Sequence, residues 1–193
     1  VWEGLLRDLP RASQRALHQR VVEALYLEGG QGAQYEYQLA QHHVDGRLTQ
    51  QPRLACDATR RAAMRAFDAG DDALAMSFFK AARTTARLAR LELDRDFYVR
   101  LAESSLRLGA TRKSLVYFQR ALARSSEDHQ RAHVLGRMAW IHHFESNAQA
   151  CLDTLRAALA REQDGEVRHL LVQALAQADI VSADPKLRLA AIQ

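Results

Sequence analysis

Apolar positions recur every three to four residues along most of this chain, and the pattern is clearest from Arg95 to Asp128. There Tyr98, Leu101, Ala102 and Ser105 stand at i, i+3, i+4 and i+7, on one face of a helix that closes at Leu108-Gly109. Beyond that turn, Leu115, Phe118, Ala121 and Leu122 share one face of a second helix. No run alternates apolar and polar residues long enough to predict a strand, and three prolines and nine glycines interrupt little. The pattern predicts an all-α fold.

The flanking segments read as copies of this helix pair. Upstream, Pro52 suits a first helical turn; a helix over 53–69 ends at Gly70-Asp71-Asp72, and Ala75, Phe79, Ala82, Ala86 and Ala89 follow at helical spacing. Ala63, Gly70, Ala75, Phe79 and Ala82 then align with Ala102, Gly109, Ser114, Phe118 and Ala121, and with Ala139, Ser146, Cys151, Leu155 and Ala158. The small residues let two backbones approach, and the large apolar one fills the gap between units. A fourth first helix carries Val167, Leu170, Leu171, Ala174, Leu175 and Ala178, and Asp184-Pro185 opens a short last helix over 186–193. Before the repeats, a helix over 11–28 turns Leu17, Val21, Ala24 and Leu25 inward, and one over 34–44 has Tyr35, Leu39, Ala40 and His43 on one side. The expected organisation is an N-terminal helical segment, 1–51, and a repeat region, 52–193. Its units lie at about 56–89, 95–128 and 132–165, with a partial unit over 166–193.

This repeat resembles the tetratricopeptide repeat, which implies a right-handed α-solenoid of antiparallel helix pairs. Its turns recur at 39 and 37 residues (Gly70 to Gly109 to Ser146) rather than at the family's 34. Longer second helices and connections are the expected source of the excess. Thr59, Tyr98 and Leu135 stand where the family's tryptophan-type position falls, and the closing proline is missing.

Ahead of the repeats, LRDLPRASQRALHQRVVEAL is followed by LAQHH and a helix pair. That order resembles the region just after the ATPase and winged-helix modules of STAND-type signalling ATPases, carried here by Leu9, Pro10, Arg15, Leu17, His18, Leu25, Leu39, Ala40, His42 and His43. The resemblance implies a sensing arm of a multidomain regulator, adjoining ATPase and effector domains of a parent chain. The sequence holds no G-x-x-x-x-G-K-[ST] loop, and Val1 in place of methionine reads as the start of an excised piece. A free-standing adaptor that holds a peptide is the competing reading.

Composition changes this picture little. At 48% apolar and 26% charged, 193 residues can bury a sizeable core, and no apolar run approaches the roughly 18 residues of a membrane span. With no leader visible, and with Cys56 and Cys151 read as buried thiols, a reducing, cytoplasmic setting is expected. The formal charge is +4, but the 27 basic residues are scattered among acidic ones, which favours a salt-bridged surface over a nucleic-acid stripe. The one basic triplet on a helix face, Arg83, Arg87 and Arg90, runs straight into Glu92 and Asp94.

Candidate chemistry is equally sparse. The adjacent pairs His42-His43 and His142-His143 point apart on a helix, and His129 and His133, at ligand spacing, lack an acidic or thiol companion. No nucleophile elbow or phosphate loop is present, so neither enzyme activity nor a cofactor or metal is expected. The remaining surface is the concave groove implied by the repeat resemblance: Arg60, Met64 and Phe67, then Val99, Glu103 and Leu106, then His133, Trp140, His143 and Phe144. A protein or small-molecule effector is its expected occupant. For Trp140 and Phe144 the alternative is burial against the neighbouring repeat.

Overall fold

The computed structural model describes residues 9–46, 49–145, 147–161, 163–169, 171–172 and 175, without the side chains of residues 144 and 148. All regular structure among them is helical: α1 Arg11–Glu28, α2 Ala33–Asp45, α3 Pro52–Asp68, α4 Asp72–Ala89, α5 Arg95–Arg107, α6 Thr111–Leu122, α7 Asp128–Phe144 and α8 Ala148–Leu159, with helix again over 165–169. Leu170, Ala174 and Ala178, predicted on that last face, and the helix predicted over 186–193 lie outside the described residues. The chain divides into two compact units, Val1–Leu93 and Asp94–Gln193.

In the first unit, α3 and α4 meet along small side chains. Ala55, Ala58, Ala62, Ala63 and Ala66 of α3 and Ala75, Ala82 and Ala86 of α4 are all within 2% of full burial. Alanine costs nothing in helix propensity and lets two backbones close up, while Phe78 and Phe79 fill the space beside that seam. The pair ends as predicted at Gly70, whose φ of +78° is a left-handed conformation that glycine adopts without strain. The Asp71 amide donates to Ala66 O at 2.9 Å and Gly70 N–H to Phe67 O at 3.0 Å, so two otherwise orphaned carbonyls are paired.

The second unit repeats the arrangement. Gly109 has φ +74°, and the Ala110 amide donates to Ser105 O at 2.8 Å; after α7, Asn147 N–H reaches His142 O at 2.9 Å in the same six-residue closure. Ala102, Ser114, Phe118 and Ala121 are 0% exposed, and Ala139, Cys151, Leu155 and Ala158 are at most 2% exposed, so the predicted register holds at these positions of both pairs, while Ser146 lies outside the described residues. Ser114 shows why a small polar residue serves as well as alanine there: its hydroxyl donates to Ala102 O at 2.8 Å, joining α6 to α5. Leu171, from the segment after α8, joins the α7–α8 core and stands 3.5 Å from where a Cβ on Gly136 would lie.

Two expectations need correcting. The excess repeat length does not come from second helices throughout: α4 has 18 residues, but α6 has 12 and the long element of the next interval is the first helix α7, with 17. The inward face of α1 is also shifted. Only Val22 is buried; Leu17 and Leu25 are half-buried, Ala24 is exposed, and Val21 is 38% exposed. α2 is the element that covers α1, and it covers the Val22 side, where Val22, Leu39 and Ala58 of α3 form a small core with Leu25 and Tyr35 at its edge. A stripe drawn through Leu17, Val21 and Ala24 therefore points past α2 and lines an open cleft of about 720 Å3 beside His18 and His42.

Candidate partner-binding faces

The predicted groove residues fall on first helices of both units, and each unit brings its own set together. In the first, Arg60 and Met64 line a shallow polar cleft of about 620 Å3 between α2 and α3, with Glu36, Asp57, Arg61, Arg65 and Asp68. Here charge answers charge. Arg65 Nε donates to Glu36 Oε2 at 2.6 Å, tying α3 to α2, and Arg61 pairs with Asp57 one turn away. Phe67 is half-buried on the same helix and does not line this cleft.

In the second unit, α5 and α7 present the more varied face. Val99, Glu103 and Leu106 are half-buried on α5, and His133, Trp140 and His143 are exposed on α7. Glu103 bridges the helices. Its carboxylate lies 3.3 Å from Arg137 Nε on α7 and 3.8 Å from Arg107 on its own helix, while only 18% of its side chain is exposed. The Arg137 contact is an ion pair by distance but poorly aligned as a hydrogen bond, and Arg137 remains 41% exposed, so the pair contributes at most about 1 kcal/mol. His133 sits beside it. Crowding by the seam lowers its pKa, Glu103 opposes that shift, and Arg95 and Arg137 reinforce it, so the ring is neutral at pH 7 although more than a third of the residue meets solvent.

Trp140 is 52% exposed, with the His143 ring edge-on at 6.2 Å. Its helix neighbours Ala139 and Ile141 are each 1% exposed, so α7 buries one side and leaves the indole on the other. Leu171, from the segment after α8, reaches α7 at Gly136, one turn before Trp140. Phe144 ends α7, and its side chain lies outside the described residues.

Sequence reasoning missed Arg137, Arg65 and Glu36. Arg65 lies one residue beyond the groove position Met64 and Arg137 four beyond His133, and a long guanidinium reaches round the helix to an acid on a neighbouring one. A count of acidic partners within reach on the adjacent helix would have pointed to both. Among the described residues, no three His, Cys, Asp or Glu side chains converge as a metal site would require, and no helix is long and apolar enough to cross a membrane.

The helix pairs, their small-residue seams and their closing turns are those of tetratricopeptide-like repeats, and solved structures agree on the fold. A Podospora anserina protein with nearly identical TPR-like repeats, provisionally assigned as a kinesin light chain, superposes with a TM-score of 0.62 at 12% identity, over 93% of this chain and 90% of its own. MamA superposes with a TM-score of 0.58 at 11% identity, over 93% and 86%. The Cut9–Hcn1 hetero-tetramer of APC/C matches at 0.50 and 15% identity, over 83% of this chain and 32% of that one. No protein-family model matches the sequence, and no curated protein does either.

Proposed function

We propose that the chain is a non-catalytic protein-interaction region that binds its partner on the α5–α7 face of the second unit. The observation that carries this is Trp140, an indole 52% exposed on a helix whose other side is core. An aromatic anchor flanked by polar groups is the usual make-up of a binding hot spot, and here His143, His133 and the Glu103–Arg137 pair supply the polar rim. The charged residues of that face are engaged with one another rather than arranged around a reaction centre. By analogy of fold alone, the chain matched in Cut9–Hcn1 is part of a hetero-tetramer.

In the fuller reading this surface belongs to the cytoplasmic sensing arm of a multidomain STAND-type regulator, with residues 1–51 as the helices that follow its ATPase and 52–193 as the repeats. Support comes from motif residues of that resemblance that pack on one another: His18 meets His42, and Leu25 borders the core that holds Leu39.

A photo-crosslinking amino acid at position 140 of the intact parent protein tests the surface. Crosslinks to a protein partner or to the parent's own domains are expected, and Trp140→Ala should weaken that binding at least about tenfold without moving the melting temperature. A several-degree loss of melting temperature, or a Trp140 emission that iodide cannot quench in a Trp2→Phe background, would assign the indole to the core instead. The gene decides the context: a P-loop module encoded upstream in frame supports the regulator, and a start codon just before Val1 supports a free-standing adaptor.

A further inference from the structure

α1 is fastened to α2 through histidine contacts, one of which cannot form when both of its rings are charged. His18 and His42 approach Nδ1 to Nδ1 at 2.8 Å while their ring centroids are 5.1 Å apart, so the two nitrogens lie between the rings and face each other head-on. At that distance there is room for one proton, donated by one neutral ring and accepted by the other. A metal ion would need both lone pairs to converge on a third point, which head-on rings do not offer. Further along the same helix pair, Tyr26 Oη lies 3.1 Å from Nε2 of His43, whose residue is only 3% exposed. A third tie is Tyr35 Oη donating to Leu25 O at 2.8 Å, with no imidazole in it.

We propose that the two histidine contacts form an acid-sensitive clasp: a second proton on the His18–His42 pair sets two N–H groups against each other and frees α1 from α2. The surroundings do little to prevent this. Asp45, on α2, is the acid that favours the charged form of His42, and its carboxylate already accepts from Gln41 at 2.8 Å. From α1, Arg20 and Glu28 line the cleft that both rings border, and from α3, Asp57 and Arg61 act on Tyr26 with opposite signs. Burial first, and then His18, lower the pKa of His42; burial lowers that of His43 to about 4. The clasp is therefore closed at pH 7 and loses its hold as pH falls through the lower part of the histidine range. Leu17, Val21 and Leu25 already line an open cleft on α1, so opening adds the Val22–Leu39 contact to the apolar surface that a partner or another domain can reach.

The test is an NMR titration of the histidine ring protons in the 193-residue chain, run beside amide hydrogen exchange corrected for its intrinsic pH dependence. His18 and His42 should take up protons in two separated steps. The second should coincide with exchange of α1 amides about tenfold or more faster at pH 5 than at pH 7, with α3–α4 amides unchanged. His18→Gln and His42→Gln each remove the charge repulsion and should flatten the α1 response. If either variant leaves α1 detached at neutral pH, the wild-type titration decides alone. Independent single-step titration of both rings, or α1 exchange that follows only the intrinsic rate, overturns the proposal.

Discussion

The α1–α2 and α3–α4 pairs occupy the same unit and are held together by different means. α3 buries seven residues, five of them alanine, against its neighbours; α1, one residue longer, buries only Val22. The α3–α4 pair relies on apolar area and close backbone approach, which do not titrate with pH. The α1–α2 pair relies on a small core supplemented by imidazole, phenol and carbonyl contacts, and it leaves Leu27 89% exposed. Two helix pairs that look alike in outline thus respond to different perturbations, and the α3–α4 pair should outlast the other under acid.

The sharpest way to break this comparison is to damage the apolar seam. Phe79→Ala and, in the second unit, Phe118→Ala each empty a site that is 0% exposed and should cost about 3 to 5 kcal/mol; a calorimetric melt within a degree of wild type would show that the seam does not carry the repeat. Acid is the corresponding attack on α1–α2. His43 drops from the usual 6.5 to about 4 on folding, so the unfolded chain takes its proton first. Its contribution is complete above about pH 6.5 and is lost as pH falls toward 4, by an amount of order 3 kcal/mol. Urea titrations at pH 7.5 and 4.5, with His43→Gln as the control that abolishes the difference, check the sign.

Overpacking comes next. Ala63→Leu puts three more carbons into a fully closed seam and should cost about 1 to 3 kcal/mol, read as a lower urea midpoint. The Asp71 carboxylate accepts from Leu74 N–H at 2.9 Å and caps α4, so Asp71→Ala should cost about 1 kcal/mol. Trp140→Ala should have the smallest effect, within about 0.5 kcal/mol of wild type, since 52% of the residue already meets solvent. A larger loss there would turn a binding surface into a packing one.

The repeats were legible because three alignable features are each forced by physics: small residues where backbones touch, one large residue where they part, and glycine where φ is positive. Ala63, Phe79 and Gly70 therefore announce their roles from spacing alone. The face of α1 was not legible, because its apolar stripe is broad and only the position of α2 decides that Val22 rather than Val21 goes inside. On the candidate faces, spacing placed Glu103 and Trp140 on first helices, but it carries no information on whether a neighbouring side chain neutralises the one or the next helix covers the other. The first outcome depends on Arg137, which lies 34 residues further along the chain.

The two thiols give the molecule a timer of its own. Cys56 lies in the first unit at 4% exposure and Cys151 in the second at 2%, both with pKa raised by burial. A thiol in that state is inert to alkylation until the segment around it opens. Mass spectrometry of iodoacetamide adducts over time would therefore read the opening rate of α3 and of α8 separately, in one sample and without any engineered label. In mild acid, adduct formation at Cys56 should lag behind the exchange of α1 amides, because the clasp can open while the alanine seam stays shut.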